Sequence, residues 1–158
     1  MKKGIVSILT GCIGVVIGAI AVGKVSHKNL CDEKKIAEKN WALYMLMNRW
    51  VRVRQEGKNV SDYLEKCGYH RIAIYGMSAV GETLLRELQG TSTEVAYGVD
   101  QNAGGICAEI DIYTLQDDLK EVDAIVVTPI GVFESIKQSL VSKVDWPVLS
   151  IEDILYDM

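Results

Sequence analysis

Beyond residue 58 the chain alternates short apolar, β-branched runs with stretches in which apolar residues return every third or fourth position. The first pattern reads as strand and the second as helix. Strands are expected at Arg71–Tyr75, Glu94–Val99, Ile110–Tyr113, Ala124–Thr128 and Val148–Ile151. Helical patterns occupy Val80–Gln89 and Val132–Val141, with a turn around Gln116–Leu119 and a helix start at Glu152 and Asp153. Strands that alternate with helices predict a parallel sheet covered on both faces. The first, second and fourth runs are almost wholly apolar, as strands buried on both sides are. The predicted fold is α/β, with five parallel strands in the order 3-2-1-4-5, half of a full doubly wound dinucleotide fold. Just ahead of it, Ser61 is placed to cap a short helix, Asp62–Lys66, which Gly68 ends.

The front of the chain has a different texture. Gly4–Gly23 is twenty residues without a charge, bounded by Lys2, Lys3 and Lys24. At ~1.5 Å per residue such a run spans roughly the 30 Å hydrocarbon core of a bilayer, so a transmembrane helix is expected at 4–23. Two rival patterns share these residues: a secretory signal with its cleavage site near Ala19-Ile20-Ala21, and a lipobox at Leu9-Thr10-Gly11-Cys12. Basic residues are in excess after the run, at Lys24, Lys28, Lys34, Lys35 and Lys39, which would place a single-pass protein in the cell membrane with its C-terminal domain in the cytoplasm. Residues 24–58 then form a basic juxtamembrane helix and linker, and 59–158 the sheet domain. In Asn29–Gln55, which contains no Gly or Pro, Ile36, Leu43, Met47 and Trp50 make an apolar seam that Trp41, Tyr44 and Val51 widen. That seam serves either a helix packed on its own domain or the membrane surface, or a parallel homodimer. Gly14-x-x-x-Gly18 and Ala19-x-x-x-Gly23 would let two such helices approach closely in the membrane.

Charge and cysteines narrow the classes. From residue 24 to 58 there are nine Lys and Arg against four acids; from 59 to 158 there are six against seventeen. A basic neck and an acidic body suit an anionic membrane surface and exclude nucleic acid as the expected partner. Cys31, Cys67 and Cys107 lack any Cys-x-x-Cys spacing, which fits reduced thiols better than a disulfide framework or a zinc site.

The candidate chemistry gathers where the first strand meets its helix. Gly76 and Gly81 have the spacing of the outer glycines of a dinucleotide-binding turn, and Gly76, Met77, Ser78, Ala79, Val80 and Gly81 would present backbone N–H groups to an anion. Ser78 occupies the place of the middle glycine; its Cβ narrows the approach of a pyrophosphate, while its hydroxyl can bond a phosphate. Asp100 follows Gly81 by nineteen positions, close to the ~20 expected of the acid that holds a ribose diol. A carboxylate there favours NAD over NADP, or else simply caps the loop that follows. Thr128-Pro129-Ile130, ending the fourth strand beside the first, lies at the rim of the same crevice, where it either contacts the ligand or simply terminates the strand. No residue is placed in a catalytic or metal-binding role: His70 precedes the first strand, at the wrong end of the sheet, and no Tyr-x-x-x-Lys follows residue 58.

The segments Tyr69–Met77, Val99–Asn102, Val122–Thr128 and Leu149–Asp153 resemble a family of small Rossmann-like, NAD(P)-binding-type domains from bacterial polysaccharide and capsule loci. They are similar, more distantly, to the N-terminal domain of sugar O-acyltransferases. The resemblance covers roughly the last two-thirds of the chain, includes the Trp50–Tyr63 region, and implies an NAD(P)-binding-like fold with unassigned chemistry. The expectation is a membrane-anchored domain that binds NAD or a related nucleotide as a sensor or adaptor, in envelope polysaccharide assembly. The alternatives are an oxidoreductase or sugar-modifying subunit whose catalytic residues come from a partner, and a ligand-free protein-interaction module.

Overall fold

The structure, a computed structural model, describes residues 32–158. The chain divides into two units after Trp41. Residues 32–55 are helical, α1, and its residues 42–55 belong to the second unit, Ala42–Met158. There follow α2 (Val60–Lys66), β1 (Arg71–Tyr75), α3 (Ala79–Leu88), β2 (Glu94–Val99), a 3₁₀ turn (Ala103–Gly105), β3 (Ile112–Tyr113), β4 (Ala124–Val127), α4 (Phe133–Val141), β5 (Val148–Ser150) and α5 (Ile151–Asp157). All strand pairs are parallel and the order is β3-β2-β1-β4-β5, as the alternation of patterns predicts. β3 is shorter than expected and α2 begins earlier. Its cap is Asn59, whose side chain accepts from Asp62 N–H at 2.8 Å, while Ser61 is buried and shares a hydrogen bond with the Thr93 hydroxyl at 2.9 Å.

The apolar strands separate their side chains by the pleat. Ile72 and Ile74 of β1 join Ala124 and Val126 of β4 on one face, under Leu46 and Trp50 of α1, Leu64 of α2, Leu84 and Leu88 of α3 and Ile154 of α5. Ala73 and Tyr75 join Ile125 and Val127 on the other, under Leu140 of α4 and the loop residues Trp146 and Leu115. On that second face Tyr97 of β2 stacks edge-on to Tyr113, with centroids 5.4 Å apart, and donates to the Lys120 carbonyl at 2.6 Å. Burial pushes its phenol up to about 12.

Two expectations about the front of the chain are corrected here. Among the described residues no helix is long and apolar enough to cross a membrane. Helix α1 has the length, but Asp32, Glu33, Lys34, Lys35, Glu38 and Lys39 crowd its first turns, and each charge is costly in hydrocarbon. The expected span at 4–23 lies outside the described residues, so the single-pass membrane location is not carried forward. The seam of α1 is also shifted. Its buried positions are Leu46, Trp50 and Val53, with Leu43 and Met47 half-buried beside them, whereas Ile36, Trp41, Tyr44 and Val51 are exposed. Residues 42–55 are thus part of the sheet domain's core.

One carboxylate ties three helices together. Glu87 of α3, with a side chain only 8% exposed, accepts from the Trp50 indole N–H of α1 and from Val60 N–H of α2 at 2.9 Å, and its Oε1 lies 3.6 Å from Arg54 Nη1. Replacing it by Ala strands two donors in a partly buried site, so Glu87→Ala is expected to cost about 3 kcal/mol in urea unfolding; a loss below ~1 kcal/mol would show that α1 is held by its apolar face alone.

A second carboxylate joins the starts of two strands. Asp123 Oδ2 accepts from His70 N–H at 2.8 Å and Arg71 N–H at 2.7 Å. These backbone donors hold its carboxyl below the ordinary aspartate value of 3.8. A lowered folded pKa gives stability that is complete above the unfolded value and is lost as pH falls through the folded one. Stability against thermal unfolding should therefore fall on acidification below pH 3.8, and Asp123→Asn should make that acid limb shallower; an unchanged limb would contradict the assignment.

Candidate functional site

The turn from β1 into α3 is set by two glycines. Gly76 has φ +92°, a conformation costly for a side-chain-bearing residue, and a Cβ on it would lie 2.7 Å from the Pro129 ring. A Cβ on Gly81 would lie 2.1 Å from the Gly76 carbonyl oxygen. The first turn of α3 therefore rests directly on the end of β1, as close helix–strand packing in a dinucleotide turn requires. The Thr128 hydroxyl completes the clamp: it is buried, 2.5 Å from the Gly76 carbonyl oxygen and 3.1 Å from that of Tyr75.

Asp100 stands across this turn at the end of β2. Its Oδ2 accepts from Met77 N–H at 2.8 Å and its Oδ1 from Asn102 N–H at 2.9 Å. The carboxylate thus does what the loop-capping alternative predicts and also reaches the glycine turn. An ionised carboxylate offers about four lone-pair sites, so two acceptor positions remain for a ribose diol. The two N–H donors fix the direction in which those positions point.

The eight sequence candidates separate by burial. Gly76 and Asp100 line a cleft of about 380 Å³ at the carboxyl ends of β1 and β4. Ser78 and Ala79 are exposed at the start of α3, where the Ser78 side chain makes no capping bond. Met77, Val80, Gly81 and Thr128 are buried. The Met77 side chain packs over β2, since a Cβ on Gly98 would lie 2.9 Å from its Cγ, so only its backbone serves the site. Thr128 faces the turn rather than the cleft.

Of the rest of the lining, the sequence points to Pro129 alone, at the rim with Thr128. Tyr75 and Gln101 flank Gly76 and Asp100, and Pro129, Val132, Ser135 and Ile136 form the opposite, largely apolar wall. The topology held the signal. In the order 3-2-1-4-5 the direction of winding reverses between β1 and β4, and the crevice at such a reversal is walled by the loop and helix after β4. A second, larger groove of about 620 Å³ is lined by Glu82, Leu85 and Arg86 of α3 and by Ile106, Cys107 and Glu109. The Gln89 amide donates to Glu109 at 2.7 Å beside it. Cys107, like Cys67, is an exposed free thiol. Among the described residues no three His, Cys, Asp or Glu side chains converge as metal ligands.

These features can be weighed against a dinucleotide. The glycine turn, the exposed first residues of α3 and the oriented carboxylate fit one; the Ser78 Cβ and the engagement of Met77 N–H by Asp100 narrow the path of its pyrophosphate. Comparison with protein families, curated proteins and solved structures finds no match.

The turn makes two mutational predictions. Gly81→Ala drives a Cβ into a backbone carbonyl and should cost about 3 kcal/mol or more. Asp100→Ala should cost about 1–3 kcal/mol without any ligand, because it leaves Met77 N–H and Asn102 N–H without an acceptor, and Asp100→Asn should cost less because one acceptor oxygen is kept. Urea midpoints for the three variants check both; equal midpoints for Asp100→Ala and the parent would remove Asp100 from the structure of the turn.

Proposed function

We propose that residues 42–158 form a nucleotide-binding module, with NAD as the first ligand to test, and that it works as a sensor or adaptor. The observation that carries this reading is the junction at the strand-order reversal. There two glycines seat the start of α3, whose Ser78 and Ala79 are exposed, on β1, and Asp100, oriented by two backbone donors, shares the cleft with Gly76. Helix N-termini attract phosphate, and a fixed acceptor suits a ribose diol. The resemblance to domains of polysaccharide loci adds nucleotide-linked sugars to the ligands worth trying.

One observation favours a second reading, a protein-interaction platform that takes no ligand. Each oxygen of the Asp100 carboxylate already accepts a bond from the chain itself, so the carboxylate has a structural role that needs no ligand.

Thermal unfolding of the purified chain with NAD, NADP, coenzyme A and UDP-glucose separates the two. A ligand at 100 times its Kd adds ~2.7 kcal/mol, and NAD is expected to stabilise more than NADP, whose 2′-phosphate meets the Asp100 carboxylate. Ser78→Asp is the discriminating variant. Aspartate is a good helix cap, so the fold should hold, yet its charge at the start of α3 should abolish the shift. No shift with any of the four ligands would favour the platform.

A further inference from the structure

The walls of the β1–β4 cleft carry one formally charged side chain, Asp100. Among the described residues, no Lys, Arg or His lines it. Lys137 neighbours Ile136 in sequence, but its ammonium lies 5.4 Å from the centre of the Phe133 ring, a cation–π contact. Arg86 lines the separate groove beside α3, together with Glu82 and Glu109. A second carboxylate reaches the rim instead: Glu152 of α5 accepts from Gly131 N–H at 3.3 Å, between the cleft residues Pro129 and Val132.

The helices that begin at this end of the sheet reinforce the same sign. α4, whose Ser135 and Ile136 wall the cleft, has Glu134 in its first turn, and α5 has Glu152 and Asp153; Glu82 of α3 lies with Arg86 in the separate groove. An acid in the first turn complements the partial positive charge of a helix N-terminus, which leaves less of that charge for a ligand's phosphate. The field of the whole domain points the same way, with eighteen acids against ten basic residues from 42 to 158.

We infer that the cleft selects a ribosyl ligand with little net negative charge and rejects nucleoside di- and triphosphates. Suitable ligands are a nucleoside, or a nucleotide whose phosphates are offset by a cationic group, as the oxidised nicotinamide ring offsets them in NAD. Asp100 accepts the ribose diol, and the Pro129, Val132 and Ile136 wall covers the base. Each added phosphate meets Asp100 and Glu152 without a basic side chain in the lining to offset them. This inference rests on the nucleotide-binding reading and sets the charge of the ligand that site takes.

Calorimetric titration of the full chain with adenosine, AMP and ADP, and in parallel with uridine, UMP and UDP, tests it. The nucleoside of the preferred base should bind most tightly, and each phosphate should weaken binding by roughly tenfold at low salt. The gap should close on going from about 20 mM to about 500 mM salt, as the screening length falls from about 20 Å to about 4 Å. Oxidised NAD should bind more tightly than its reduced form, which lacks the ring charge. Glu152→Gln, which keeps an acceptor for Gly131 N–H, should narrow the gap between nucleoside and monophosphate severalfold. Affinity that rises with each phosphate would overturn the charge selection and leave the nucleotide reading standing; no binding by any of these ligands would overturn both.

Discussion

The contact between the first turn of α3 and the end of β1 has no room for a side chain, and the rest of the site follows from it. With the Cβ position of Gly81 only 2.1 Å from the Gly76 carbonyl oxygen, the helix axis is pinned to the strand end. That oxygen also receives the Thr128 hydroxyl, so the end of β4 is drawn to the same point. Pro129 then packs over Gly76, and the chain departs into the loop and helix that wall the cleft. Asp100 closes the arrangement from the β2 side through Met77 N–H. Three strand ends and one helix start are joined by a few backbone groups, and little of this depends on exposed side chains.

The other end of the sheet is held by the same kind of bond. Asp123 receives the two N–H groups that lead into β1, so the central strand is fastened to β4 at both ends. Behind the sheet, Glu87 collects donors from α1 and α2 and makes residues 42–55 part of the domain. A rigid central strand with its helices locked on one face suits a site whose geometry must not drift, since a binding constellation is only as well placed as the elements that carry it. The α4 face is more lightly covered: Leu140 is the helix's one fully buried residue, and Val132 and Val141 are exposed.

Much of the fold was legible in the chain because its signals are local. Apolar runs at 71–75, 94–99 and 124–127 mark strands buried on both faces, and their alternation with helical patterns fixes the parallel order. The Gly76–Gly81 spacing and Asp100 likewise follow from short-range pattern. What could not be read depends on contacts between distant segments. The periodicity of α1 predicts a seam through Ile36, Leu43, Met47 and Trp50. The last three do pack on the core, but Leu46 and Val53 join them and Ile36 is exposed, because several apolar stripes share one helix and only packing selects among them. Glu87 looks like any acid on an amphipathic helix until Trp50 and Val60 are brought to it. Thr128 was placed at the rim, but its hydroxyl is drawn inward by carbonyls more than fifty positions away. Asn59 capped α2 in place of Ser61 because Ser61 is committed to Thr93 across the domain.

The claim on which the functional account turns is that the β1–β4 cleft, and not the larger groove beside α3, is where a nucleotide sits. Titration of the ¹⁵N-labelled chain with NAD, followed by amide chemical shifts, tests it most directly. The account predicts that the amides of Ser78, Ala79, Gln101, Val132 and Ser135 move together with a single binding curve. Movement confined to Arg86 and to Ile106–Glu109, or no movement at all, would contradict it.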